Sequence, residues 1–320
     1  MTRKLSSLLL SAFALLLLMG AGVEQDSTDG TSTSSGLTVA QLSERSKTSD
    51  QEADQAQAVP AAAGQSVLTL AEDKDRTLTV NGQAVSSEVS KTQRNGTTYV
   101  ALASMAKELD PAVNVQWNAG SQTVTITSGK LNLNAQVGQL YLVANGRYLY
   151  IPEGVQAVNG QVTVPLSVVT EAFGATLSWN ASTGVVAVTR GSGGIQSGEQ
   201  YYNSDDLFWL SRVIYAESGN QPLEGQMAVG NVILNRVSSP IFPNSILGVL
   251  SQKNQFTTYQ SGRLANRTPN ASSVIAAKLV LDGGVVEETE GAMYFDSTPN
   301  SWASRNKTCV AVIGGHRFYA

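Results

Sequence analysis

"WLSRVIYAESGNQPLEGQMAVGNVILNRV", residues 209–237, is the stretch that decides the fold of the C-terminal third of this chain. Its apolar residues recur three and four positions apart, which predicts two amphipathic helices joined by a short polar turn. Ser204 and the two aspartates after it supply an N-cap and an acidic first turn. Gly219 suits the end of this first helix, and Pro222 suits the first turn of a second helix that ends near residue 237.

One acidic residue, Glu217, falls within the apolar stripe of the first helix. Leu207, Leu210 and Ile214 precede it at helical spacing, so its carboxyl group is expected at the end of a buried face. Burial and the negative end of the helix dipole both favour the neutral acid, so we expect a raised pKa. A glycosidase needs such an acid to protonate its leaving oxygen. The pattern is equally compatible with a frayed helix end whose glutamate points into water.

The second helix carries two further polar side chains of interest. Gln226 falls inside its apolar face, where a buried amide must find partners. It either binds sugar, orients Glu217 or forms a structural link to a backbone carbonyl. Glu224 lies nearly opposite, in the first turn, where a solvated carboxylate complements the helix dipole. The apolar face itself is predicted from Leu223, Met227, Val229, Ile233, Leu234 and Val237.

The N-terminal quarter of the chain has the pattern of an exported protein. Arg3 and Lys4 precede an apolar run and three small residues, which predicts a secretory signal peptide at residues 1–22. The run is short for a membrane span, and an uncleaved anchor is the alternative. Residues 23–75 contain ten acidic and three basic residues, which predicts a disordered acidic linker. Localisation is therefore expected to be secreted.

Residues 76–191 contain an internal repeat. The copies start with "NGTTYVALASM" at Asn95 and "NGQVTVPLSVV" at Asn159. Each predicts an Asn-Gly turn, an alternating strand, a short helix (102–109 and 166–173), a strand with a tryptophan and a further strand. The fold class is therefore α+β with several domains: a small antiparallel repeat domain, a Gly/Ser linker at 192–200, and a third region at 201–320.

The two tryptophans of the repeat, Trp117 and Trp179, occupy equivalent strand positions. Tryptophans can stack on sugars, but the equivalent placement favours core residues over a sugar platform. The pattern of this region resembles the copper amine oxidase N-terminal-like domain, which implies a wall-binding or spacing module. It contains no histidine and no cysteine, and copper prefers imidazole or sulfur ligands, so we expect no metal here.

Composition excludes several other classes of function. The chain has one histidine, His316, and one cysteine, Cys309, which together cannot build a typical zinc site. The net charge of −4 and the lack of a basic run make nucleic acid an unsuitable partner. A Cys–His peptidase is a further alternative, but nothing near Cys309 indicates an activated thiol. We therefore expect no metal and no cofactor.

The motif series "YAESGNQPLEGQMAVGNVILNRV…FPNSILGVL…QF…MYF…IGGHRFY" resembles the cell wall hydrolase family of the spore cortex-lytic enzymes, of the SleB and CwlJ type. The resemblance implies a mainly α, lysozyme-like catalytic domain that cleaves peptidoglycan, in the cell wall or the spore cortex. It assigns the catalytic glutamate to Glu217. As substrate-binding positions it marks Glu224, Gln226, Gln255, Phe256, Tyr294 and His316, and it also marks Asn235 and Arg236 as signature positions.

Three functional interpretations remain open at the sequence level. The resemblance favours a lytic transglycosylase, in which Glu217 acts alone and the product is a 1,6-anhydro sugar. A hydrolytic muramidase would use Glu217 with Glu224 and a water molecule, which requires Glu224 to face the cleft. A wall-binding protein without catalytic activity is the third.

Overall fold

The computed structural model describes residues 77–320, so the predicted signal peptide at 1–22 and acidic linker at 23–75 lie outside the described residues. Two hydrophobic cores organise this part of the chain. The first is built from residues between Leu78 and Ile195, and the second from residues between Leu210 and Phe318. Sheets and helices are both present, in agreement with the α+β class expected from the sequence.

The first domain is dominated by short strands. Its strands are β1 (Leu78–Val80), β2 (Gln83–Ala84), β3 (Lys91–Arg94), β4 (Thr97–Ala101), β5 (Asn114–Asn118), β6 (Thr123–Thr127), β7 (Asn132–Gln136), β8 (Tyr141–Ala144), β9 (Arg147–Tyr150), β10 (Gln156–Val158), β11 (Gln161–Pro165), β12 (Thr176–Asn180) and β13 (Val185–Thr189). Its helices are α1 (Leu102–Leu109) and α2 (Leu166–Ala172). The order hairpin, helix, hairpin thus occurs twice along the chain.

Three sheets make up this domain. The strand orders are β12-β13-β1-β2, β10-β11-β4-β3 and β5-β6-β7-β8-β9. The predicted Asn-Gly turns at Asn95 and Asn159 have φ of 46° and 50°, and the glycines after them are also left-handed, as tight hairpins require. One pairing departs from the antiparallel pattern, because β1 runs parallel to β13.

The two equivalent tryptophans differ in environment. Trp117 packs against the first core, as predicted. The prediction was wrong for Trp179, which is 59% exposed and borders a cavity of about 380 Å³ with Leu177, Thr97, Thr98 and Ser167. The reason lies in the strand that carries it, since every residue of β12 is exposed.

The second domain is mainly helical. Its helices are α3 (Gly198–Tyr201), α4 (Ser204–Ser218), α5 (Leu223–Ser238), α6 (Ile246–Ser251), α7 (Thr257–Gln260), α8 (Ala271–Leu281) and α9 (Trp302–Asn306). A three-stranded antiparallel sheet, β14 (Tyr294–Asp296), β15 (Cys309–Ile313) and β16 (His316–Tyr319), closes it in the order β14-β16-β15. None of the helices in residues 77–320 is long and apolar enough to cross a bilayer.

Helix α5 is the centre of the second core. Ten of its residues are buried, more than a single amphipathic face would provide. The neighbours α4 and α8 approach it closely at Gly230, where an added Cβ would lie 3.0 Å from Ile214 and 3.2 Å from Val280. Glycine is therefore needed here for close helix packing.

The segment at 192–200, predicted as a linker, is packed against the first domain. The backbone N–H groups of Gly193 and Ile195 donate to carbonyls of α2 and the residue that follows it, and Gly198 donates to Asn145. The side chain of Asn145 also donates to the Ile195 carbonyl at 2.8 Å. This segment therefore follows the surface of the first domain.

The two domains meet through one face of β8 and β9. Along these strands Leu142, Ala144 and Leu149 enter the first core. The alternate residues Tyr141, Tyr148 and Tyr150 pack against the second core. Because successive strand residues point to opposite faces, the same two strands serve both cores.

A buried ion pair connects the two domains across their interface. The guanidinium of Arg147 donates through Nε to both carboxylate oxygens of Asp282, each at 3.1 Å, and through Nη2 to one of them. The hydroxyl of Tyr202 donates to Asp282 at 2.6 Å. The Asp282 side chain is 1% exposed, so these bonds compensate a fully buried charge.

Candidate active site

Glu217 lies in the last turn of α4, the helix that the apolar pattern predicted. The N-cap is Asn203 rather than Ser204: its side chain accepts from the N–H groups of Asp205 and Asp206 at 2.9 and 3.0 Å. At the other end, Gly219 is right-handed and not left-handed, with φ of −61°. An added Cβ would lie 2.5 Å from the Tyr215 ring, so contact with this ring explains the glycine.

The carboxyl group of Glu217 is half-buried. Burial raises its pKa above the ordinary value of 4.5, and the positive charge of Arg267 opposes this rise. Desolvation is the larger of the two effects, so the acid form persists to higher pH than in water. This is the direction that the sequence predicted.

His316 lies beside the backbone of this glutamate. It is 7% exposed at the start of β16, and its Nδ1 has no hydrogen-bond partner in residues 77–320. Burial lowers the pKa of His316, and the carboxylate of Asp296 and the nearby backbone of Glu217 oppose that effect. The hairpin turn before it is bound to the segment between α4 and α5, because the N–H of Gly315 donates to the Gln221 side chain at 2.7 Å. The β15–β16 hairpin therefore packs beside the end of α4 and the turn that follows it.

Gln226 is 2% exposed and has its amide fully engaged. Its Nε2 donates to the Gln221 carbonyl and to Ser272 Oγ, both at 2.9 Å, and its Oε1 accepts from Ser273 at 2.7 Å. Of the roles weighed from the sequence, this geometry is that of a structural link to a backbone carbonyl. The link fixes the turn that follows Glu217.

Glu224 is directed to the domain interface. Its carboxylate interacts electrostatically with the hydroxyl of Tyr150, a residue of β9 in the first domain. Burial raises the pKa of this tyrosine, and the charge of Glu224 adds to the rise. The structure thus gives Glu224 a partner in the other domain.

Gln255, Phe256 and Tyr294 are brought together around Arg236. The Arg236 Nη1 donates to Gln255 Oε1 at 3.1 Å, and its Nε donates to the Met293 carbonyl at 2.7 Å. The guanidinium lies 5.8 Å from the ring centroid of Phe256 and 5.5 Å from that of Tyr294.

A cavity of about 450 Å³ opens beside this cluster, within the range of small-ligand sites. Its lining includes a tilted pair of rings, Tyr294 and Trp302, with centroids 5.5 Å apart. The lining residues are Arg236, Phe242, Gln255, Tyr294, Phe295, Asp296, Ser301, Trp302 and Ala303. The ring of Phe295 also contacts His316, with centroids 5.7 Å apart, so one side chain separates the cavity from the His316–Glu217 contact.

Cys309 and His316 lie at opposite ends of the β15–β16 hairpin. Cys309 pairs with Tyr319, whereas His316 pairs with Ile313 beside the turn. A thiol–imidazole pair for peptidase chemistry is therefore not formed. Residues 77–320 also contain no group of three His, Cys, Asp or Glu side chains arranged to hold a metal ion. The first domain contains no histidine or cysteine, the ligands that copper prefers, so its residues do not fit copper.

Two cavity residues were given no site role from the sequence, although the resemblance marked one of them, Arg236, as a signature position. Arg236 is three and seven positions beyond Ile233 and Val229, so it lies in the apolar stripe of α5. The helical period that singled out Glu217 also places Arg236 on a buried face. Trp302, which is 57% exposed, had no comparable signal, because a short polar segment surrounds it.

Comparison with known families matches both domains. The model of the cell wall hydrolase family matches residues 220–319, starting just after Glu217. The model of the copper amine oxidase N-terminal domain matches residues 54–188. That match begins upstream of residue 76, within the segment interpreted as a linker.

Curated relatives match over the C-terminal third. A spore cortex-lytic enzyme of Bacillus subtilis is 33% identical over 120 residues, which are 37% of this chain and 38% of the relative. A spore cortex-lytic enzyme of Bacillus cereus is 35% identical over 121 residues, 37% of this chain and 45% of the relative. The chain therefore covers less than half the length of these relatives.

Two solved structures are also similar. The catalytic domain of the Bacillus cereus SleB protein is 32% identical, with a TM-score of 0.34, over 37% of this chain and 92% of that one. The catalytic domain of a germination-specific lytic transglycosylase, SleB from Bacillus anthracis, is 32% identical with a TM-score of 0.34, over 39% of this chain and all of that one. The chain therefore contains a region that matches the cell wall hydrolase family at residues 220–319, preceded by one that matches the copper amine oxidase N-terminal domain at residues 54–188.

Proposed function

We propose that this protein is a secreted peptidoglycan-degrading glycosidase and that Glu217 is its catalytic acid. The observation that carries the proposal is a half-buried carboxyl group with a raised pKa, at the end of a helix beside His316. The names of the relatives, spore cortex-lytic enzymes and a lytic transglycosylase, support peptidoglycan of the cell wall or spore cortex as the substrate. We also propose that its C-terminal domain has the lysozyme-like fold that the resemblance implies.

The reaction we propose is that of a lytic transglycosylase. Glu217 donates its proton to the oxygen between N-acetylmuramic acid and N-acetylglucosamine, and the bond from that oxygen to the muramic C1 breaks. The C6 hydroxyl of the same muramic residue attacks C1, and the Glu217 carboxylate takes up the hydroxyl proton. The product is a 1,6-anhydro sugar, and no water is consumed. Because the attacking group belongs to the substrate, proximity replaces a second carboxylate.

The contacts of Glu224 favour this route over the muramidase. A hydrolytic mechanism needs a second carboxylate and a water molecule in the cleft. Glu224 instead interacts with Tyr150 of the first domain. A muramidase that used Glu224 would have to give up this interaction.

The remaining site residues have supporting roles in this proposal. Gln255 and Tyr294 line the cavity of about 450 Å³, where they would hold the glycan strand. Phe256 is 4% exposed and would act through its contact with Arg236. His316 positions the backbone of Glu217, and Gln226 holds the turn after it. A direct contact between Gln226 and sugar would require its three hydrogen bonds to be given up.

For the first domain we propose wall binding. The exposed face of Trp179 borders a groove whose lining includes Leu177, Thr97, Thr98 and Ser167 and no charged residue. An indole face with neighbouring hydroxyls suits a neutral sugar, which offers C–H groups for stacking and hydroxyls for hydrogen bonds.

The Glu217→Gln variant tests the enzymatic proposal. Release of fragments from purified peptidoglycan should fall at least about a hundredfold, the range that general acid–base catalysis contributes. Glu290→Gln, an exposed glutamate of the same domain, is the matched control and should keep full activity. Loss of activity in both variants, or in neither, would contradict the assignment. Wild-type binding to peptidoglycan without release would favour the non-catalytic alternative.

A further inference from the structure

Arg236 is a buried cation that the proposed reaction does not use. It lies in the last turn of α5 and is 4% exposed. Charged side chains are almost never fully buried unless they are paired. Its surroundings should therefore contain an anion.

The described partners of Arg236 are all neutral. Its hydrogen bonds go to the Met293 carbonyl and the Gln255 amide oxygen, and three aromatic rings surround it, that of Phe242 nearest at 5.2 Å. Among residues 77–320, no carboxylate lies within salt-bridge distance of it. Burial lowers the pKa of its guanidinium, as expected for a desolvated charge.

Arg147 provides an internal comparison. It is 7% exposed, and it is paired with both Asp282 and Glu171. The same chain thus compensates one buried arginine with two carboxylates and leaves the other among neutral groups.

The position of Arg236 indicates where the missing anion would come from. Arg236 lines the cavity of about 450 Å³, together with the rings of Tyr294 and Trp302. The carboxylate in the same lining, Asp296, instead accepts hydrogen bonds from the hydroxyls of Ser301 and Tyr319. A ligand in this cavity would therefore meet a cation, aromatic rings, polar side chains and one carboxylate that is already hydrogen-bonded.

We propose that this cavity binds an acidic sugar of the glycan strand and that Arg236 receives its carboxylate. The proposal rests on the proposed function, since peptidoglycan supplies such a sugar in its muramic acid. The carboxylate has two chemical sources: the lactyl ether of an unsubstituted muramic residue, or the peptide attached to it. A guanidinium is suited to either, because its planar fork matches a carboxylate.

Binding of soluble probes to the full chain tests the proposal without any reaction. The probes are N-acetylmuramic acid, its methyl ester, N-acetylglucosamine and N-acetylmuramyl-L-alanine, titrated by NMR with the Trp302 indole N–H as the local reporter. That signal is identified among the four tryptophans with Trp302→Phe. N-acetylmuramic acid should bind roughly ten- to hundredfold more tightly than its ester and N-acetylglucosamine, the value of one charged hydrogen-bonded contact.

Comparison of the same four probes identifies the source of the carboxylate. Preference for N-acetylmuramyl-L-alanine over the free acid would indicate the peptide carboxylate, and the reverse preference the lactyl one. In Arg236→Gln the difference between acid and ester should disappear. In Lys107→Gln, which removes a charge at an exposed position of the first domain, it should persist.

Equal binding of acid and ester to the wild-type chain would overturn the proposal, and this comparison does not depend on any variant folding. An unchanged preference in Arg236→Gln, or no shift of the Trp302 signal with any probe, would also overturn it. The proposed function is tested by a different measurement, the release of fragments from peptidoglycan. Fragment release that is lost in Glu217→Gln, together with equal binding of acid and ester, would refute the role of Arg236 alone.

Discussion

The ion pair at the domain interface yields a quantitative prediction for Arg147→Met. The Asp282 side chain is 1% exposed and receives its bonds from the Arg147 guanidinium and the Tyr202 hydroxyl. The substitution keeps much of the aliphatic packing and removes the charge. Asp282 is then left as a buried carboxylate with one strong donor.

Removal of one partner of a buried ion pair costs about 3–5 kcal/mol. This is a large part of the roughly 5–15 kcal/mol that stabilises a typical native protein. Arg94→Met is the matched control, because the Arg94–Glu153 pair lies within the first domain with side chains 17% and 27% exposed. Partly exposed pairs contribute about 1 kcal/mol or less, so the control should unfold nearly as the wild type does.

Equilibrium unfolding in urea, followed by tryptophan fluorescence and by circular dichroism, measures the difference. Arg147→Met should lower the free energy of unfolding by about 3–5 kcal/mol, and a second change, Asp282→Leu, should restore much of the loss by removing the unpaired charge. A loss equal to that of Arg94→Met would refute the reasoning, since the interface pair would then behave as a solvated one.

Three further outcomes are expected. The fall in kcat/KM at high pH should follow deprotonation of Glu217, whose pKa is raised. Arg267→Gln removes a positive charge that lowers this pKa, so in low salt the fall should occur at still higher pH. A fall at the same pH or at a lower pH would contradict this prediction. Trp179→Ala should reduce the fraction of the full chain that sediments with purified peptidoglycan. An unchanged fraction would exclude the groove beside Trp179 as the binding site. Asn203→Ala should lower the free energy of unfolding by about 0.5–2 kcal/mol through loss of the helix cap, and no change in a denaturant titration would count against the capping role.

Elements with strong local signals could be predicted from the sequence. Helix α1 was expected at 102–109 and is found there, and α2 ends one residue earlier than expected. In both, a strand that starts at an Asn-Gly turn leads into a short apolar run, so turn chemistry and hydrophobic pattern agree. Helical period placed Glu217 in the apolar stripe but left its burial open, and the structure shows the residue half-buried.

Features set by tertiary contacts could not be predicted. Local sequence pattern does not indicate that Tyr148 and Tyr150 of β9 would pack against a second domain. The two repeat tryptophans are equivalent in sequence and differ in exposure, because only Trp117 packs against the first core. The sequence placed the cap of α4 at Ser204, one residue after the observed cap at Asn203. Asparagine and serine are both good N-caps, and only backbone geometry distinguishes them.

Mass spectrometry of the fragments released from purified peptidoglycan tests the central claim most directly. Intramolecular attack predicts products that lack one water relative to hydrolysed ends, with muramic acid in the 1,6-anhydro form, and none of them with Glu217→Gln. Muramic acid ends that borohydride can reduce would mean that water is the attacking group. That result would contradict the single-glutamate mechanism and return Glu224 to consideration as the second carboxylate.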